Sequence, residues 1–463
     1  MCSSFLENDI DSLKLNVNVK EELKSLQVSV RFVNHNKQEK VEALYKFRDH
    51  YFENHSLEEA SNKNTDLQKV LDDTLVLLNK YQDLMVHNYR AQFYYLKGRA
   101  LNVMPHYSRE AEEFLSKSVK LDPKLVEAWN ELGECYWKND NIKEAENCFT
   151  GALNYCRNKV SLRNLSMTSR QKQLSDPEQK RKMVEHGLEL AKEAVQLDPN
   201  DGLSWIVLGN AHLSSFFGLS QSPKTLRMCL TAYVRGESDV AAKSNPDLHY
   251  NKAIALKYQE EFELALKSFN LASSYEPGWD PPNIKIKQLE KYLQQISEFV
   301  KSSGKMKAKK LQQLTQSIDK KQLGPYDGGS YTSPDGKETV KLDYVAFEEL
   351  QSGLNEEKVI LGKVVCSVYN EDGVPFTFCL VSKLGTCIAV TVFNIAESRG
   401  VIIGDSVAIP EPFVTDVNFK YNNKEFKFRL VRVETPRVMV VNGKKLGKDT
   451  QACVQMSIFK KFT

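Results

Sequence analysis

Charged and amide side chains recur at helical spacing through the first 300 residues, and their types suit recognition rather than reaction. Glu127, Asn130 and Glu134 share one stretch, Arg163, Asn164 and Arg170 another, Asn210 a third, and Asp247 with Tyr250 a fourth. Side chains three, four or seven residues apart lie on one face of a helix. A face holding both carboxylates and guanidiniums can bind a short peptide that carries both charges; the alternative is that each is a hydrated surface charge. A second group is lysine-rich: Lys301, Lys305, Lys307, Lys309, Lys310, Lys320 and Lys321 fall within KSSGKMKAKKLQQLTQSIDKK. The alternation at 305, 307 and 309 suits phosphate contact, with release of counterions from nucleic acid. A solvated basic linker and a nuclear import signal are the other two readings. Further along, Tyr369, Phe376, Phe378 and Phe393 are of the type that stacks on bases, although alternation puts Phe376 and Phe378 on one face, which favours the core. Lys420, Lys424, Lys427, Arg429 and Arg432 leave nucleic-acid contact open.

Catalytic constellations are not found. The chain has no GxxxxGK[ST], no GxGxxG between a strand and a helix, no GxSxG and no HExxH. Its nine cysteines form no CxxC pair and its eight histidines are scattered, so neither a zinc site nor a cofactor is expected. Several cysteines sit beside apolar residues, as Cys148 does beside Phe149, where a reduced thiol packs as a small hydrophobe. The 463 residues are 41% hydrophobic and 27% charged, with a net charge of +3 too small to imply a partner. No apolar run reaches the span of a bilayer and the first residues lack a signal-peptide layout, so a cytoplasmic and nuclear protein with no membrane partner is expected.

Positioning those side chains falls to a repeat. In WNELGECYWKNDNIKEAENCFTGAL, Trp129, Leu132, Gly133, Tyr136, Ala145, Phe149 and Ala152 follow the 34-residue tetratricopeptide pattern. Small Gly133 and Ala145 belong where two antiparallel helices cross, and the large rings fill the spaces between. Neither helix buries its face alone, so neighbours must stack. Tyr94, Gly98, Leu101, Ala111 and Leu115 make a copy before it; Trp205, Leu208, Gly209 and Tyr233 make one after; Ala253, Leu256, Ala265, Phe269 and Ala272 make the last. Pro123, Pro199 and Pro277 punctuate them. A divergent repeat occupies 157–199, its second helix capped by Ser175 or Asp176. Helices at 36–56 and 63–86 form an N-terminal repeat, and 283–299 reads as a capping helix.

Beyond 345 the period changes to two. Strands are predicted at 359–369, 375–382, 386–394, 404–412 and 426–436, with a short helix around IAESRG after the third. Five strands with that interruption are the layout of an OB-fold barrel. The fold class is therefore mostly α with a β domain, a tetratricopeptide-repeat solenoid followed by a small OB-fold. Its parts are an N-terminal extension at 1–35, the solenoid with its capping helix at 36–300, a basic then Gly/Ser-rich linker at 301–345, the OB-fold at 346–447 and a tail at 448–463.

The stretches LVEAWNELGECYWK, CRNKVSLRNLSM, SNPDLH, GKMKAKKLQ, VILGKVV, VPFTF, IGDSVAIPEP and RVETP, spread from about 40 to 445, carry a specific resemblance. Together they resemble the Strap family of stress-responsive activator cofactors, tetratricopeptide repeat proteins with a C-terminal OB-fold. The resemblance implies a non-catalytic adaptor. Its implied partners are an acetyltransferase coactivator and an actin-nucleating cofactor in stress and DNA-damage responses. It also implies recognition of the Met-Arg-Glu start of nascent tubulin at the ribosome, with tubulin mRNA decay through the decay machinery. Carried over residue by residue, Arg170 would pair with the ligand Glu and Asp247 with its Arg. Asp280, in WDPP, lies near but not on the position of a third family acid. Lys307 and Lys309 take the positions of ribosome-contacting lysines. The competing reading is a DNA- or chromatin-binding transcription cofactor acting through the OB-fold. A cochaperone clamp on a C-terminal carboxylate is poorly supported, because Asn130 and Asn210 are too sparse.

Overall fold

A computed structural model describes residues 34–171, 176–219, 221–328, 331–332, 339–396 and 399–452. The N-terminal extension lies almost wholly outside the described residues, as do 453–463 of the tail. The helices are α1 (34–49), α2 (Tyr51–Asn54), α3 (Lys63–Lys80), α4 (Gln82–Asn88), α5 (Arg90–Leu101), α6 (Arg109–Leu121), α7 (Val126–Lys138), α8 (Ile142–Tyr155), α9 (Lys159–Gln171), α10 (Pro177–Leu197), α11 (Gly202–Gly218), α12 (Pro223–Gly236), α13 (Val240–Lys243), α14 (Pro246–Tyr258), α15 (Phe262–Tyr275), α16 (Pro281–Lys301) and α17 (Ala308–Gln316).

Five hairpins, α5–α6, α7–α8, α9–α10, α11–α12 and α14–α15, stack in sequence. Small residues permit each close crossing: a Cβ on Gly133 would lie 2.5 Å from the Phe149 ring. Polar N-caps start the helices where the sequence places them. Ser108 accepts from the Ala111 N–H, Asp176 from Glu178, Asp201 from Ser204 and Asp239 from Ala241. The punctuating prolines also act as acceptors. The Trp129 indole N–H donates to the Pro123 carbonyl at 2.9 Å, and Trp205 repeats this with Pro199 at 2.8 Å. The solenoid curls far enough for its ends to meet, since the Phe52 ring packs on Tyr275 with centroids 5.0 Å apart. Among the described residues no helix is long and apolar enough to cross a membrane.

The barrel strands are β1 (Lys358–Val368), β2 (Phe376–Val381), β3 (Cys387–Val392), β4 (Ser406–Pro410), β5 (Phe413–Tyr421) and β6 (Lys424–Val433). β1, β2 and β3 form an antiparallel meander, β3 pairs in parallel with β6, β6 pairs with β5, and β4 pairs with β1. Because β4 and β5 follow each other across Glu411 and Pro412, the curled sheet returns towards its own first strand. That order, with its parallel β3–β6 pair, is the OB-fold arrangement.

Three expectations need correction. The helix around IAESRG does not form among the described residues there. Ile395 instead bridges Gln451, the Ala396 N–H donates to the Thr450 carbonyl, and the Arg399 N–H donates back to the Ala396 carbonyl. β5 was not anticipated as a separate strand, because its outward positions Asp416, Asn418 and Lys420 make FVTDVNFKY read as loop. The 301–345 stretch is not a bare linker, since it holds α17 and a 3-10 turn, Lys320–Tyr326. Leu323 and Tyr326 of that turn bury themselves against Val359, Leu361, Ala408 and Val440 of the barrel.

α16 is the shared wall between the two parts. Leu289, Tyr292, Leu293 and Ile296 pack with Val365, Val381, Ala389 and Phe428 in one core.

Candidate functional site

First helices of successive hairpins touch one another, α9 with α11 and α11 with α14, and so line one side of the curved stack. Arg170, at the end of α9, is surrounded by protein. Its Nη1 donates to Ser166 Oγ at 3.3 Å and to the Val207 carbonyl at 3.2 Å. Among the described residues no carboxylate pairs with it, and burial draws its pKa down to about 10. A guanidinium desolvated without a counter-ion is a strong site for an anion. Gly187 on α10 is close by: a Cβ there would stand 3.5 Å from Arg170 Cγ, an ordinary contact, and its carbonyl accepts from Ser166 Oγ at 2.6 Å.

Asp247 sits in the first turn of α14. It is accessible to solvent, yet enough protein crowds its carboxylate that desolvation pushes its pKa up. Among the described residues no side chain donates to that carboxylate. Tyr233 of α12 is buried, its ring lying against Gly209 and its hydroxyl donating to Asn210 Oδ1 at 2.7 Å. Asn251 Nδ2 donates to the same oxygen at 3.1 Å. Tyr233 has its pKa raised well above that of a solvated phenol, first by burial and then by its neighbours. Cys229 is the neighbour that raises it most; Arg170 acts to lower it and Asp247 to raise it, so both charges act on one hydroxyl with opposite sign. Tyr250 continues the surface, its ring 4.9 Å from Trp279 and 5.6 Å from Phe269.

The remaining groove residues differ in their commitments. Asn130 is not presented to a ligand, because it is buried, accepting from Ser161 Oγ at 2.6 Å and donating to Asn158 at 3.3 Å. Arg163 is likewise internal, paired with Asp201 at 3.0 Å. Asn164 is buried with its Nδ2 unpartnered. Glu134 belongs to a separate cluster near the N-terminus, where the Tyr45 ring lies between the guanidiniums of Arg48 and Arg99, each 4.4 Å from its centroid. There Glu131 accepts from Tyr45 at 3.1 Å and Asn102 at 3.0 Å. Burial, then the charge of Glu134, raises its pKa. Asp280 is exposed at the start of α16, next to Trp279, with no contact to Arg170 or Asp247. The signal that sequence reasoning missed was Tyr233, which holds the repeat's second-helix aromatic position and is fully buried, with its hydroxyl turned to Asn210.

The three lysines separate too. Lys305 is tied to Glu298 at 2.8 Å, while Lys307 and Lys309 are exposed and, among the described residues, without an ion pair. On the barrel, Phe378 and Phe393 are fully buried, Phe376 is half-buried against Gly400, and only Tyr369 of the four aromatics is exposed. The basic cluster is dispersed into pairs: Lys424 with Glu290 at 3.0 Å, Arg429 with Asp416 at 3.0 Å, Arg432 with Glu260 at 3.5 Å. Among the described residues, Lys420 and Lys427 alone of the five stay exposed without an ion pair. A cleft of about 870 Å³ between the last repeats and the barrel, lined by Arg227, Glu261, Leu354, Phe413 and Glu434, is a separate feature. Among the described residues no group of three or more His, Cys, Asp or Glu is placed to hold a metal ion.

Residues 341–455 match the family described as the Tetratricopeptide repeat protein 5 OB fold domain, and residues 126–159 match the tetratricopeptide repeat. The Homo sapiens protein named Tetratricopeptide repeat protein 5 is 47% identical over 416 residues, which cover 90% of this chain and 94% of that protein. Its Bos taurus namesake is 45% identical over 421 residues, covering 91% and 95%. Among solved structures, YrrB, described as a TPR protein with an unusual peptide-binding site, aligns at a TM-score of 0.30 and 19% identity, covering 45% of this chain and 97% of its own.

Proposed function

This chain belongs to the tetratricopeptide repeat protein 5 family, and from that premise we propose that it is a non-catalytic adaptor whose groove recognises the Met-Arg-Glu N-terminus of nascent tubulin. One observation carries the reading: Arg170 and Asp247 act with opposite sign on the same Tyr233 hydroxyl, and among the described residues neither has an ionic partner of its own. A peptide with an arginine beside a glutamate supplies both missing partners at once. The ligand Glu meets Arg170 and the ligand Arg meets Asp247.

Recognition at the ribosome then leads to decay of tubulin mRNA through the decay machinery. Lys307 and Lys309 provide the phosphate contacts. The same scaffold serves an acetyltransferase coactivator and an actin-nucleating cofactor in stress and DNA-damage responses, in the cytoplasm and the nucleus.

A charge-assisted pair in a partly desolvated groove contributes about 1.5–3 kcal/mol. Arg170→Ala and Asp247→Ala are each expected to weaken a labelled tubulin N-terminal peptide roughly tenfold or more. Unchanged affinity in fluorescence polarisation would sink the assignment. Lys307→Glu with Lys309→Glu should leave peptide affinity alone and abolish co-sedimentation with ribosomes at moderate salt.

A further inference from the structure

Three cysteines meet on the barrel sheet where it faces α16. Cys366 of β1 and Cys379 of β2 are direct partners in the antiparallel register, and the Cys379 thiol also engages Cys387 of β3. All three are free thiols; Cys366 and Cys379 are buried, and Cys387 is partly exposed with its sulfur 3.9 Å from the Phe299 carbonyl. Cys379 beside it holds the Cys366 pKa down against the effect of burial.

The same cysteine forms the seat of a turn. Gly304, at a φ of +72°, lies so close that a Cβ on it would stand 3.0 Å from the Val365 carbonyl oxygen and 3.1 Å from Cys366 Cβ. This Ser303–Lys305 turn leads directly into exposed Lys307 and Lys309.

We propose that Cys366 and Cys379 are an oxidant-sensitive dithiol that closes reversibly to a disulfide and unseats the Ser303–Lys305 turn with the lysine-bearing segment behind it. Hydrogen peroxide is the oxidant. The Cys366 thiolate attacks a peroxide oxygen and releases hydroxide, giving a sulfenic acid; the Cys379 sulfur then attacks that sulfur and expels its oxygen as water. Two thiols and one peroxide yield one disulfide and two waters, sulfur losing the two electrons that the peroxide oxygens gain. Register selects this pair over Cys379 with Cys387. Cys387 opposes Val381 and is diagonal to Cys379. Diagonal neighbours stand about 7–8 Å apart against about 4.5–5.5 Å for direct ones. A disulfide requires Cβ atoms about 3.5–4.5 Å apart. Closing the direct pair therefore shifts the Cys366 Cβ, against which Gly304 rests, by about an ångström.

The test uses the full chain treated with hydrogen peroxide, alkylated, digested without reductant and mapped by mass spectrometry. A peptide linking Cys366 to Cys379 is expected, lost on adding dithiothreitol. Trypsin cleavage after Lys305 and Lys307 should be several-fold faster in the oxidised protein. Cys366→Ser should abolish both effects. Cys379→Ala should do the same and serves if the serine variant fails to give a native melting transition. Cys156→Ser, which removes an exposed thiol, should change neither. Absence of the linked peptide, links confined to other cysteines, or a link without faster cleavage would each overturn the proposal.

Discussion

The groove and the solenoid–barrel junction bury charge in opposite ways. At the junction every deeply placed charge meets its opposite across the boundary: Asp372 accepts from Lys285 at 2.6 Å and also from Lys257, and Glu260 takes Arg432 together with the Thr391 hydroxyl at 2.6 Å. Arg432 is further held by the Tyr258 carbonyl at 2.9 Å and lies 3.9 Å from the Phe393 ring centroid. In the groove, Arg170 is part-buried and Asp247 is exposed but crowded by protein, and among the described residues neither has such a partner. Burial raises the free energy of a charge in both places; only at the junction does the protein itself supply the compensation. The difference teaches where to look for a ligand: the junction is complete without one, and the groove is not.

Breaking the junction should cost most. Asp372→Ala removes the carboxylate shared by Lys257 and Lys285, and losing one partner from such a buried set typically costs about 3–5 kcal/mol. Urea denaturation should show that loss while peptide affinity stays unchanged; a variant as stable as the parent would erase the contrast. The groove should answer in the opposite sense. Asp247→Asn is expected to leave the melting temperature at neutral pH unchanged or higher, because the charged form is the one its surroundings disfavour.

Acid sharpens the same contrast. Burial alone would raise the Asp372 pKa, but Lys257 and Lys285 outweigh it and hold it low. Its contribution to stability is therefore present above the unfolded aspartate pKa and lost as pH falls through the folded value. Asp247, raised instead, favours the folded state when protonated, and that contribution is lost as pH rises through its folded pKa. Peptide affinity should weaken on acidification from a higher pH than a solvated aspartate would allow, and Asp247→Asn should flatten that profile. The smallest effect belongs to the repeat itself. Trp205→Phe deletes the bond to the Pro199 carbonyl, worth about 1 kcal/mol by the usual scale for such bonds, and calorimetry should find a modest loss with binding intact.

Legibility followed the range of the interactions involved. Gly133 with Phe149, the punctuating prolines and the polar caps act within one repeat, so residue type and spacing sufficed to read them. The groove was legible only as a face. Spacing nominated Asn130 and Arg163 on the same terms as Arg170, yet the first is consumed by Ser161 and Asn158 and the second by Asp201. Those partners lie some 30 to 40 positions away in the chain, in the next repeat. Periodicity states which way a side chain points and is silent about what arrives to meet it. Asp247 and Arg170 were singled out by resemblance, and nothing in their spacing set them apart.

The barrel shows the same limit. Alternation identified the strands and the buried side of Phe378, but β5 escaped because its outward residues are polar. The supposed linker proved to be part of the packing because Leu323 and Tyr326 find apolar surface that only the assembled sheet creates.

By itself, then, the sequence determined the two architectures, their order and the residues that share a face of each repeat's first helix, because these depend on local periodicity, side-chain volume and backbone preference. Tertiary structure alone decided which charges are spent inside the molecule and which are left over. Whether Arg170, Asp247, Lys307 and Lys309 are free depends on distances between residues far apart in the chain, and a charge becomes a binding site only where folding brings it no partner.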